Sequence, residues 1–381
     1  MKKVSIDNYD FYPYHNLSRS EWLQIRNSFN LCLGGSDMSV VCEHNEYTTK
    51  AKLFDEKLGL IEPTDLSDNQ RVFWGTIQEP VLRVVSQYYD LYGEKNNYLM
   101  NMKDFNISSS NTRSGYKVNI DGGNNKVYRK HLAFDFTTQN KKLHWLFANI
   151  DGMVTDDAKT DQEVINKIEK KKKLVKPKSI IELKTMDKTV YDKWNSTRNK
   201  GLPEGYIDQI MMYMATFLDL NEDLDSYIFV LVNGNGLVGY HIEYNQYVVD
   251  FLLEKSYQFY NLLLHGQDII NNSKNDQQMK MGLDEIRPEA DDSLAYQNYM
   301  NKNYLERLDP TSKMIGDDKI LEIAERYTEI TKKLSQLNKD KRYQTNLIRS
   351  YLNENEVKKV LLPYEKGYIS CYKNLVVRYN E

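Results

Sequence analysis

Glu182 and Lys184 lie two residues apart in the stretch "SIIELKTMDKT" (179–189), beside Ile180 and Ile181. A β-strand turns residues i and i+2 to one face, so a carboxylate and an ammonium group would share a surface that reads as buried. Charges in such a place are costly unless a metal ion, a phosphate or each other compensates for them. Leu183 points to the opposite face, while its backbone carbonyl stays beside the two charges. Asp151 before Gly152, Glu79 within an earlier helical run and Gln209 within a later one complete an acidic and polar group around one lysine. A divalent ion such as Mg²⁺ takes oxygen ligands, commonly one or two carboxylates with water and substrate phosphate. Asp151 and Glu182 would supply those carboxylates, and the Leu183 carbonyl a further oxygen. A lysine beside such an ion orients the attacking water or stabilises charge developing on a phosphate. The chemistry so described is phosphodiester hydrolysis. Taken singly, each residue has a plainer reading: E-x-K as an exposed cross-strand ion pair, Asp-Gly as a turn, Glu79 and Gln209 as polar positions on helices.

The elements that must position these residues follow from periodicity. The N-terminal third reads as helices, "SRSEWLQIRNSF" with a serine cap and "RVFWGTIQEPVLRVVSQYYDLYG" with apolar residues at helical spacing up to Gly93. From about 96 to 155, Asn, Gly and Ser turns separate alternating runs such as "KVYRKHLAFDF" and "KLHWLFANIDGMV", which predict sheet. The charged stretch 156–178 predicts a loop or exposed helix between two strands, and its Lys170–Lys173 run a solvated face. "EGYIDQIMMYMATFLDL" predicts a helix, "DSYIFVLVNGNGLVGYHIEY" two strands around a Gly/Asn turn, and "YVVDFLLEKSYQFYNLLLHG" a closing helix. The order implies a mixed α/β core. Residues 266–316 read as a linker or extended arm between a core at 1–265 and a tail at 317–381. The tail predicts a long amphipathic helix packing onto the core, then a small hairpin. Its other roles would be oligomerisation, docking of an annealing protein, or DNA contact through "KDKR" at 339–342.

Composition limits the classes. With 381 residues, 40% hydrophobic and 28% charged, the chain can bury a sizeable core. A net charge of −3 neither favours nor excludes a nucleic-acid partner, so any DNA-attracting patch must be local. Cys32, Cys42 and Cys371 form no CxxC pair, which argues against zinc, iron–sulfur and disulfide frameworks. No apolar run reaches a membrane span and "MKKVSIDNYDFYPYHN" has no signal-peptide centre, so a cytoplasmic location is expected. Trp145, His144 and His241 read as structural.

The stretches "LGGSD" (33–37), "WGTIQEPVL" (74–82), "HWLFANIDGMV" (144–154), "IIELKT" (180–185) and "YIDQIMMYM" (206–214), in this order, resemble the YqaJ-type viral recombinases. These are lambda-exonuclease-like members of the PD-(D/E)xK nuclease superfamily. The resemblance spans about 18–262 and implies a restriction-endonuclease-like α/β core, a central mixed sheet flanked by helices. It implies a Mg²⁺- or Mn²⁺-dependent exonuclease that digests one strand of duplex DNA from the five-prime end. A single-strand annealing protein as partner and a homotrimeric ring around the DNA are further expectations. By position, Asp151 and Glu182 would be metal ligands, Lys184 the catalytic lysine, Glu79 the supporting helix acid and Gln209 the helix residue near the lysine. The resemblance also makes Ser36, Asp37 and Arg26 candidates for handling a DNA end, with Arg26 holding a five-prime phosphate. Met211 stands where the family often has a second glutamine, and the 156–178 insertion is longer than usual.

Overall fold

The computed structural model describes residues 3–62, 69–87, 105–109, 116–120, 131–195, 202–305, 316–362, 367–371 and 375–379, less positions 16, 19, 20, 23, 26, 27, 30, 222, 234 and 235. In chain order the elements are β1 (Val4–Ile6), β2 (Tyr9–Pro13), β3 (Leu33–Gly34), α1 (Gly35–Val41), α2 (Lys50–Lys57), α3 (Gln70–Gln87), β4 (Phe105–Ser109), β5 (Tyr116–Ile120), β6 (Leu132–Ala133), β7 (Phe136–Asn140), β8 (Leu146–Phe147), β9 (Gly152–Val154) and α4 (Asp161–Ile165). There follow β10 (Ser179–Asp187), α5 (Lys188–Asn195), α6 (Glu204–Phe217), β11 (Asp225–Asn233), β12 (Gly236–Ile242), α7 (Gln246–Asn272), α8 (Asp276–Ile286), α9 (Leu294–Asn303), α10 (Asp318–Glu354), β13 (Lys359–Leu361), β14 (Gly367–Cys371) and β15 (Leu375–Tyr379). The chain forms two compact units, 1–307 and 308–381.

The first unit is mixed α/β. Its main sheet has the order β12-β11-β10-β9-β6, with β10 and β11 parallel and the remaining pairs antiparallel. β10 is central, and Ile180 and Ile181 are both fully buried because each face of that strand is covered. On one face Ile181 and Leu183 pack with Leu82 of α3, Tyr227 and Phe229. On the other Ile180 joins the large core that includes Ile210, Met212 and Met214 of α6. Strand alternation therefore sends Glu182 and Lys184 to the α6 side. Gly75 brings α3 close to the sheet, since a Cβ there would stand 3.2 Å from Thr185 Oγ1.

Four expectations need correction. The first residues are not helical: β1 and β2 form a hairpin that extends to β7, with Tyr9 opposite Asn140. Val4 and Ile6 point inward around an exposed Ser5, a two-residue alternation that only a strand satisfies, and Asp7 turns the chain at φ 51°. The stretch 266–305 is not a linker. α7 runs on to Asn272, where Gly266 lies so near α2 that a Cβ would meet Leu58 Cδ1 at 2.5 Å. α8 and α9 follow, capped by the side chains of Asn275 and Ser293. Asp55 of α2, fully buried, fastens them: it accepts hydrogen bonds from Arg287 Nε at 3.1 Å and from the hydroxyls of Tyr299 and Tyr304. The docking combines this buried ionic and hydroxyl cluster with a short apolar stripe of α8, Met279, Leu283 and Ile286, set among polar residues. In the second unit, α10 buries Leu352. The tail hairpin is a three-stranded antiparallel sheet, β13-β14-β15.

The inserted segment 156–178 carries a short helix, α4, continued by a π-turn at 166–170, but not an exposed one: Val164 and Ile168 are fully buried in the core. Among the described residues no helix is long and apolar enough to cross a membrane.

Candidate active site

Backbone pairing brings the two carboxylates together. β9 and β10 run antiparallel with Ile181 opposite Gly152, and Asp151 lies just outside β9, beside the same stretch of β10. The Asp151 amide donates to the Ile181 carbonyl at 3.1 Å, and Asp151 Oδ2 accepts from the Leu183 amide at 2.9 Å. The Asp151 carboxylate is thus held beside the backbone between Glu182 and Lys184, where the Leu183 carbonyl also lies.

Glu182 is only 3% exposed. Its Oε1 accepts from Lys184 Nζ at 2.5 Å and from Gln209 Nε2 at 2.7 Å. Gln209 reaches it because α6 packs across that face of β10, and the same amide nitrogen lies 2.9 Å from the Tyr213 hydroxyl. Burial works against the Lys184 ammonium, but Glu182, Tyr206 and Asp151 outweigh it and hold the lysine above its ordinary range. Tyr206, one turn before Gln209, lays its ring 5.2 Å from Lys184 Nζ. Burial in turn pushes the Tyr206 phenol up, so it remains neutral.

Glu79 arrives from the other face of the sheet. On α3 it sits 3.8 Å from Arg83 Nη2, and that nitrogen is 4.0 Å from Asp151 Oδ1. Arg83 also pairs with Asp135 at 2.6 Å. Glu79 therefore meets the pair Asp151 and Glu182 through an arginine. Four of the expected residues, Asp151, Glu182, Lys184 and Gln209, form one connected group; Glu79 belongs to its rim.

The "GGSD" stretch serves this group by its shape. Gly35, the first residue of α1, lies where a Cβ would stand 2.5 Å from Tyr213 Cε1 and 2.8 Å from Gln209 Cγ. Only a bare backbone lets α1 approach α6 so closely. Asp37 Oδ2 accepts from the Gly34 amide at 2.9 Å and pairs with Lys57 at 2.9 Å, so this carboxylate holds the start of α1. Ser36 is exposed. Arg26 lies outside the described residues.

Sequence reasoning missed Tyr206, Arg83 and Asp135. The first two had legible signals, since each sits within a helical turn of a chosen residue, Tyr206 three before Gln209 and Arg83 four after Glu79. Asp135 had none. Met211 is buried at 4% exposure and adds to the core. Trp145 is half-buried, donating through Nε1 to Ser256 Oγ at 3.1 Å and lying against Tyr257, in keeping with a packing role.

The donor set suits a hard divalent cation. Two carboxylates and a backbone carbonyl offer oxygen only, the donor type of a hard cation; among the described residues no group of three His, Cys, Asp or Glu converges as a metal site. An all-oxygen set with few protein ligands matches a Mg²⁺-type ion that keeps water and takes phosphate oxygens from its substrate.

The model of the YqaJ-like viral recombinase domain family matches residues 21–217, just over half of the 381-residue chain. The uncharacterized protein YqaJ of Bacillus subtilis (strain 168) is 24% identical over 291 residues, which make up 76% of this chain. The chain covers 65% of that relative's length. Two solved structures of the alkaline exonuclease LHK-Exo from Laribacter hongkongensis, one of them in complex with dAMP, are 13% and 12% identical to this chain. They cover 66% of it and 96% of their own length, at TM-scores of 0.36 and 0.38.

Proposed function

The chain belongs to the YqaJ-like viral recombinase domain family, and from that premise we propose that it is a metal-dependent deoxyribonuclease with a PD-(D/E)xK-type core, acting from the ends of duplex DNA. The observation that carries the reading is the convergence of Asp151, just before β9, Glu182 and Lys184 of β10, and Gln209 of α6 on the middle of β10.

Asp151 and Glu182, with the Leu183 carbonyl, would hold Mg²⁺ or Mn²⁺. When bound, such an ion supplies an acidified water and neutralises charge on the scissile phosphate. Lys184, held protonated between Glu182 and Tyr206, presents a fixed cation toward the phosphate as charge develops there. Gln209 keeps the Glu182 carboxylate in one rotamer, and Gly35 keeps Gln209 in place. Arg83 carries Glu79 and Asp135 against Asp151 and sets the charge at that edge.

In this reading the strand attacked is the one with the five-prime end, the working form is a homotrimeric ring, and the single strand left behind passes to an annealing protein in phage-type recombination. Ser36, exposed on the first turn of α1, and Arg26 are the residues assigned to the DNA end; Asp37 holds the turn.

Linear duplex DNA labelled separately at each end, with Mg²⁺ or EDTA, a closed circle and the Lys184→Ala variant test the reading. Metal-dependent loss from five-prime ends, absent on the circle and in the variant, is the expected result. Cutting of the circle would replace it with an endonuclease, and binding without cleavage with a DNA-end scaffold.

A further inference from the structure

The long helix α10 carries an apolar stripe whose period is not that of a helix packed on a globular core. Ile320, Ile323, Tyr327, Ile330, Leu334 and Leu337 repeat at alternating steps of three and four, the a and d positions of a heptad. After Lys341 and Gln344 the same register resumes at Ile348 and Tyr351. A seven-residue repeat keeps its seam facing a partner only when two helices wind around each other. The stripe is open to solvent, with Leu334 at 56% and Leu337 at 63% exposure. We propose that this seam is an interface to a second copy of the chain, joined as an antiparallel pair of α10 helices about a two-fold axis between Ser335 and Gln336.

The two polar seam residues decide the direction. In a parallel pair each residue meets itself, so Lys341 would face Lys341 across a desolvated layer, a like-charge contact. In the antiparallel pair the layers are Ile320 with Tyr351, Ile323 with Ile348, Tyr327 with Gln344, Ile330 with Lys341 and Leu334 with Leu337, each formed twice. Lys341 then lies along an isoleucine and extends its ammonium to water. The flanking charges agree. This register sets Lys333 of one helix beside Asp340 of the other, twice about the axis, whereas in a parallel pair Lys333 meets Asn338 and Asp340 meets Thr345. Lys333 now pairs within its own helix with Glu329 at 2.6 Å and Asp340 accepts from Gln336 at 2.9 Å, both on exposed side chains free to exchange partners. Isologous pairing of one patch with itself closes at two copies.

Light scattering on the full-length chain reads this out through the ratio of masses, with α10 pairing one three-membered ring to a second. The Leu334→Lys/Leu337→Lys variant, changed only at exposed positions, is expected to keep its circular dichroism and to show half the mass of the unaltered chain. Lys333→Asp, which turns two attractive pairs into two repulsive ones, should weaken association roughly ten-fold. Adding Asp340→Lys to it should restore association, because both pairs re-form with charges exchanged. Equal masses for the unaltered chain and the double-lysine variant would overturn the interface, leaving the stripe to another protein such as an annealing partner. Association that the exchanged pair does not restore would overturn the antiparallel register.

Discussion

Replacing Gly35 by alanine drives a methyl group into the contact between α1 and α6. Its Cβ would lie 2.5 Å from Tyr213 Cε1, 2.7 Å from Tyr213 Cζ and 2.8 Å from Gln209 Cγ, where carbon atoms rest at roughly 3.5–4.0 Å. A displacement of about 1 Å is therefore required. Tyr213 cannot swing aside freely: it is 3% exposed and its hydroxyl lies against the Gln209 amide. The shift passes to Gln209 and thence to Glu182, which takes its hydrogen bond from that amide at 2.7 Å. Overpacking of this kind costs about 1–3 kcal/mol, and a misplacement of about 1 Å at a reacting group costs on the order of 100-fold in rate. The assay is exonuclease turnover at saturating Mg²⁺, with a urea midpoint on the same sample. Ser36→Ala, a change on an exposed residue next to it, should hold the midpoint within about 0.5 kcal/mol. Full turnover and an unshifted midpoint in Gly35→Ala would refute the argument that the "GGSD" stretch acts through close packing on α6.

Gln209→Leu removes one of the two donors to the buried Glu182 oxygen, and the lost charge-assisted bond should cost about 1.5–3 kcal/mol in the urea midpoint while lowering turnover; an unchanged midpoint would show that Lys184 alone satisfies that oxygen. Lys184 is held above its ordinary value of 10.5, so its ammonium contributes fully to stability below that pH and the contribution is lost only as pH rises through the higher folded value. Lys184→Arg and the unaltered enzyme should accordingly share one alkaline rate profile up to about pH 10, and a loss of rate near pH 8–9 that the arginine abolishes would contradict it. Arg287→Ala leaves the Asp55 carboxylate buried with only the two tyrosine hydroxyls, at a cost of about 3 kcal/mol, and should open the α8–α9 segment to proteolysis near residues 287–293. Digestion at the rate of the unaltered chain would mean that apolar contacts alone hold the segment.

Much of the site lay in local pattern. E-x-K on an apolar run predicts two charges on one strand face, because side chains alternate by covalent geometry alone, and the placement of Glu182 and Lys184 on the α6 side of β10 follows. The α6 and α7 helices were equally legible from apolar residues at helical spacing, and the β11–β12 hairpin from two apolar runs around a Gly/Asn turn. The family resemblance supplied Asp151 and Gln209, which no spacing in the chain connects to Glu182. Their meeting is a tertiary fact: the Leu183 amide holds the Asp151 carboxylate next to Glu182 on β10, and helix packing carries Gln209 across 27 residues of sequence to the Glu182 oxygen. The role of Gly35 appears only when α1 and α6 are placed together, because a glycine without contacts says nothing about what a Cβ would strike. For the same reason the polar stretch after residue 266 read as a linker. Its anchor, Asp55, lies more than 200 residues earlier, and a carboxylate can be stably buried only where the fold delivers an arginine and two hydroxyls to it at once.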